Sequence, residues 1–93
     1  MTTAPLSDAA VDEALAVVLR ALSDHAGVPA DRIDPDGPVA AVPGIESVKA
    51  LRAITQVEDT LGVLIPDDFL FETATVRQLA TQVAELRGPR ETV

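Results

Sequence analysis

Ninety-three residues with 15 acidic and 7 basic side chains give a formal net charge of −8, and 47% of the chain is hydrophobic. That length makes one small domain, and the apolar fraction argues against global disorder. The acidity argues against binding a nucleic-acid backbone, and 2% aromatic residues leave almost nothing to stack on bases. With no cysteine there is neither a disulfide nor a thiolate metal site, so any thiol in this protein's work comes from elsewhere. No long apolar run and no basic-then-apolar leader stand in the chain, so no membrane segment is expected and a cytoplasmic location is. The charge suits a protein steered toward basic surfaces, or simply kept soluble.

Residues 1–6 read as a loose tail. Ser7 with Asp8 caps and charges a helix start. Val11, Leu15, Val18 and Leu22 then recur at helical spacing with Ala14 beside them, and Gly27 and Pro29 end the helix near Ala26. Residues 27–46 hold four prolines and three glycines. A loop so long in so small a domain is functional or disordered, and Val28, Ile33 and Val39 favour an ordered one pinned to the core. A second helix starts at Ser47, with Ala50, Leu51, Ile54, Val57 and Leu61 as its inner face. Lys49, Arg52, Gln56 and Asp59 form a separate polar stripe, and Gly62 stops the helix after roughly 22 Å. Val63 to Pro66 is an apolar connector, and residues 67–71 suit a short helical turn. Thr75 caps a last helix through Val76, Leu79, Ala80, Val83 and Leu86, which Gly88-Pro89 ends. The expected fold is all-α: a four-helix bundle of three longer helices and a short third one, with a long loop between the first two. Its domain spans 7–87, and 88–93 is a second tail.

Ser47 is the candidate functional residue. A serine at a surface helix start stands where free backbone N–H groups and the macrodipole favour a phosphate. A plain capping role is the competing interpretation. Hydrolytic use of Ser47 needs a base, and His25, the only histidine, falls at the end of the first helix, where an ordinary surface role is expected. The segment also lacks the second glycine of a nucleophile elbow. Asp34-Pro35-Asp36-Gly37 suggests a calcium loop, but with Gly37 at loop position 6 the ligand positions 1 and 12 are Arg32 and Pro43, so that site fails. Asp67-Asp68 has no metal-ligand partners at sensible spacing and suits a helix start. No metal site is expected.

From Val11 to Leu86 the chain resembles the acyl and peptidyl carrier proteins. Gly27-Val28-Pro29 through Ile33-Asp34-Pro35 resembles that family's first loop. Gly44-Ile45-Glu46-Ser47-Val48 resembles its attachment motif, usually Gly-x-Asp-Ser-Leu. Leu61-Gly62-Val63 with Ile65-Pro66 resembles the stretch after the second helix, and Phe71 with Thr75-Val76 and Leu79-Ala80 resembles the last. The resemblance implies a protein that is not an enzyme. A phosphopantetheinyl transferase moves 4′-phosphopantetheine from coenzyme A onto the serine, here Ser47, and the arm's thiol carries an acyl or aminoacyl group as a thioester. Partners would be that transferase, a loading ligase or acyltransferase, and downstream biosynthetic enzymes. Neither nucleic acid nor membrane is expected as a partner, and a monomer is.

Glu46 stands where Asp is usual and Val48 where Leu is. These two, with Lys49 and Arg52, are the candidate partner-recognition residues, although Lys49 and Arg52 also suit plain solvated charges. Leu51, Ile54, Ile65 and Phe71 are candidates to line an apolar slot for cargo, against the weightier alternative of core packing. The sequence favours a discrete acyl carrier of polyketide-type or other specialised biosynthesis. Behind it come a peptidyl or aminoacyl carrier of a nonribosomal peptide pathway, then a primary fatty-acid carrier. A non-carrier helical adaptor is the alternative from another class.

Overall fold

The computed structural model describes residues 8–65 and 75–87. Among these, all regular structure is helical: α1 (Asp8–Ala26), α2 (Ser47–Leu61) and α3 (Val76–Arg87), with 3₁₀ turns at Ala30–Arg32 and Val39–Ala41. Ser7, the two tails and the expected short helix over 67–71, with Asp67, Asp68 and Phe71, lie outside the described residues.

Glycines end the first two helices where expected. Gly27 follows α1 at φ +79° and Gly62 follows α2 at φ +69°. Each donates its N–H four residues back, to Ser23 and Glu58, which satisfies a last-turn carbonyl. Glu58 also accepts the Ile65 N–H on its carboxylate at 2.7 Å, which folds the connector back and buries Ile65. α3 starts on a reciprocal cap. Thr75 Oγ1 accepts the Gln78 N–H at 3.0 Å, and the Gln78 side-chain oxygen accepts the Thr75 N–H at 3.1 Å.

α1 packs against both α2 and α3, which make little direct contact with each other. α2 runs back along α1: Gly44 lies against Ala26, and Thr60 lies beside Ala16 and Arg20. The interior is aliphatic, with Val18, Leu22, Val57, Val76, Leu79 and Val83 fully buried. Each such side chain contributes about 1.5–3 kcal/mol relative to exposure.

Residues 27–46 are ordered, as expected, and the two 3₁₀ turns explain how. Pro29 and Pro38 precede them at φ −61° and −63°, and Ile33, Val39 and Val42 anchor the path in the core. The turn Asp34-Pro35-Asp36-Gly37 is a clasp on α3. Asp34 Oδ1 accepts the Asp36 N–H, the Gly37 and Pro35 carbonyls accept the Val76 and Arg77 N–H groups, and Asp36 Oδ1 accepts Arg77 Nε at 2.8 Å. The carboxylate hydrogen bond and charge of Asp36 hold the Arg77 guanidinium more firmly protonated than usual. At the other end of α3, Arg87 reaches Glu13 of α1 at 3.2 Å.

Two expected core residues are exposed. Leu51 is 46% exposed and Leu86 42%. On α2 the buried arc is Ala50, Ala53, Ile54 and Val57, and at about 100° per residue Leu51 falls about 110° from its centre. On α3, Ala84 takes the buried place instead of Leu86.

Candidate functional site

The site is the junction between the first loop and α2. Val42 is buried, and its carbonyl accepts the Ile45 N–H at 3.1 Å. Between them Gly44 turns the chain at φ +81°, and a Cβ built on it would lie 2.6 Å from the Ala26 carbonyl oxygen. Only glycine fits so close an approach at positive φ without a backbone shift. Pro43-Gly44 therefore sets the start of α2 against the C-terminal end of α1.

Glu46 is extended at φ −110° and takes the N-cap position, and its carbonyl accepts the Ala50 N–H at 2.7 Å. Ser47 is thus the first helical residue, and the capping role weighed for it falls to its neighbour. Glu46 makes no side-chain bond to the helix, and no acidic residue stands in the first turn. The first N–H groups of α2 keep their capacity for an outside acceptor. Glu46 and Val48 are exposed, Val48 by 59%. Lys49 is half-buried and Arg52 exposed. A surface helix start with an unfilled cap, a cation at its third position and another at its sixth fits a phosphodiester.

The polar stripe partly faces α1. Gln56 Oε1 lies 3.0 Å from His25 Nε2, and Gln56 Nε2 donates to Asp24 Oδ2 at 2.9 Å. His25 is therefore a half-buried link between helices. Arg52, Gln56 and Asp59 line a shallow hollow with His25, Thr55 and Thr60. Of the residues suggested for a cargo slot, Ile54 and Ile65 are core residues, Leu51 is exposed, and Phe71 lies outside the described residues. No group of three metal-ligating side chains occurs among the described residues. No helix among them is long and apolar enough to cross a membrane.

The described residues are helical and present a helix start compatible with a phosphate. Residues 16–83 match the family model described as phosphopantetheine attachment site, and the chain belongs to that family of carrier proteins. It carries phosphopantetheine and is a carrier rather than a catalyst. Among curated proteins, a nonribosomal peptide synthetase, apvA, of Aspergillus terreus is 42% identical over 64 residues, 66% of this chain and 7% of the synthetase. An acyl carrier protein of Beutenbergia cavernae is 31% identical over 72 residues, 77% of this chain and 88% of that protein. No solved structure matches.

Sequence reasoning did not foresee the Gly44–Ala26 contact, although a Pro-Gly pair signals a turn. It also passed over Val42 and the Asp36–Arg77 clasp, which join residues far apart in the chain.

Proposed function

We propose that Ser47 is the attachment residue for 4′-phosphopantetheine and that this chain is an acyl carrier of polyketide-type or other specialised biosynthesis. The observation behind the attachment residue is the placement of Ser47 as the first residue of α2, behind the Gly44 turn and within the matched residues 16–83. The bound group supplies a terminal thiol on a long arm, on which cargo is held as a thioester. The residues of the chain do the rest. Gly44 sets the helix start, the first-turn N–H groups and Lys49 and Arg52 favour the phosphodiester's charge, and Glu46, Val48, Lys49 and Arg52 meet partners. The lack of cysteine leaves no side-chain thiol to take cargo by exchange.

In this account the domain is 7–87, with a short fourth helix over 67–71, and the protein works as a cytoplasmic monomer. Its partners are a phosphopantetheinyl transferase, a loading ligase or acyltransferase, and downstream biosynthetic enzymes. The near end-to-end alignment of the acyl carrier relative supports acyl cargo. The higher identity to the synthetase supports the second reading, a peptidyl or aminoacyl carrier. Incubation with coenzyme A, magnesium and a promiscuous transferase tests attachment. One phosphopantetheine mass appears on the wild type and none on Ser47→Ala. A wild type that never gains mass would point to a helical adaptor. Loading of the thiol form by candidate acyl and aminoacyl ligases then separates the two cargo classes.

A further inference from the structure

The cations of this acidic chain fall into two kinds. Arg77 is held by Asp36 and Arg87 by Glu13. Among the described residues, Arg20, Arg32, Lys49 and Arg52 have no ion-pair partner. Lys49 and Arg52 differ from the other two in where they stand. Both lie in the first six residues of α2. Lys49 stands in the first turn, at the positive end of the helix dipole, where anionic side chains are the stabilising choice, so it works against its own helix, and Arg52 follows one turn on. Beside them, Val48 and Leu51 are exposed one turn apart, an apolar pair on the same face. Among the described residues, no acid forms an ion pair with either cation. Glu46 precedes the helix, Asp59 lies two turns further on, and Asp24 is bonded to Gln56.

We propose that this face docks a partner surface that is itself acidic: an apolar contact for Val48 and Leu51, flanked by carboxylates that meet Lys49 and Arg52. The inference deepens the partner-recognition reading above and rests on it. Charge complementarity carries it. A net charge of −8 repels an acidic partner from most of the protein, so the two unpaired cations at the start of α2 fix the orientation of approach. That orientation brings the partner to the residue next to Ser47.

The test uses the unmodified ¹⁵N-labelled chain and two synthetic amphipathic helical peptides. They share the same leucines, and one carries Glu and the other Lys on its polar face. The Glu peptide is expected to shift the amide signals of Val48 to Thr55. Its binding should weaken about fivefold or more in Lys49→Gln/Arg52→Gln and further in Lys49→Glu/Arg52→Glu. It should also weaken as salt rises from about 0.05 to 0.3 M. Both variants should melt at or above the wild-type temperature, because they relieve the clash with the dipole. The proposal is overturned if the Glu peptide leaves Val48 to Thr55 unmoved, if the Lys peptide binds there as well, if the variants bind unchanged, or if they lose stability, which would make the cations structural. Mass measurement of the same proteins after transferase treatment keeps the two ideas apart. Normal modification without Glu-peptide binding sinks only the acidic partner. Binding by a chain that never gains the mass sinks only the attachment.

Discussion

Adding one methyl group at Gly44 probes how the attachment segment is held. Among the described residues, three glycines have positive φ: Gly27 at +79°, Gly44 at +81° and Gly62 at +69°. A Cβ at Gly27 or Gly62 meets nothing within 4 Å, whereas at Gly44 it lies 2.6 Å from the Ala26 carbonyl oxygen. Alanine in the left-handed region costs about 1–2 kcal/mol, less about 0.4–1 kcal/mol recovered from a stiffer unfolded chain. Gly27→Ala and Gly62→Ala should therefore each destabilise by about 0.5–1.5 kcal/mol. Gly44→Ala carries the same backbone term, and the two backbones must also part by about 0.8 Å to reach ordinary contact. Forced separations of that kind cost about 1–3 kcal/mol, so the total is about 2–4 kcal/mol. Urea unfolding followed by far-UV circular dichroism reads all three, with the two open glycines as internal controls. The shift also displaces the start of α2, so Gly44→Ala should slow phosphopantetheine transfer under conditions where it remains folded. Equal destabilisation by all three alanines, or unchanged transfer by Gly44→Ala, would refute the packing argument.

Ser47→Ala should melt within about 1 kcal/mol of the wild type, since the N-cap position belongs to Glu46, and a large loss in a melting curve would give the serine a structural role. Thr75→Ala removes one half of the cap on α3 and should cost about 0.5–2 kcal/mol by urea denaturation. Leu79→Ala opens a cavity in the fully buried core and should cost about 2–5 kcal/mol by the same measurement. Val48→Ala should leave the melting temperature unchanged yet slow transfer to or from a cognate partner, and unchanged kinetics with every partner would remove this face from docking. In competitive acylation of the thiol form, read by intact mass, a dedicated pathway ligase should outcompete a fatty-acid malonyl transferase. Efficient malonyl loading and repeated elongation would place the chain in primary metabolism.

The three long helices were legible because their signals are local. Gly27 and Gly62 mark helix ends, Thr75 marks a start, and the apolar spacing of Val18, Leu22, Val57 and Val83 marks the buried faces. Leu51 and Leu86 show the limit of periodicity. Both are apolar at plausible helical spacing, but the alanines at 50, 53 and 84 allow close packing that turns the buried arc away from them. The first loop shows another limit. Val28, Ile33 and Val39 announced order, but the Asp36–Arg77 clasp and the Gly44–Ala26 approach join residues 41 and 18 positions apart, and no local pattern carries such pairings. His25 is a further case. A lone histidine at a helix end reads as a surface residue, and only the crossing of α1 and α2 brings it to Gln56. For the site, the position of Ser47 at the head of α2 followed from the residues around it. That Glu46 takes the N-cap position without a side-chain bond, leaving the serine as the first helical residue, took backbone geometry to see.

The central claim is that one hydroxyl, that of Ser47, receives phosphopantetheine. Tandem mass spectrometry of the transferase-treated wild-type chain, digested to a peptide spanning Gly44 to Arg52, tests it most directly. A single phosphopantetheine on Ser47 at full conversion is expected, with no addition on any peptide of Ser47→Ala. Addition at another residue, or modification that persists in Ser47→Ala, would contradict it.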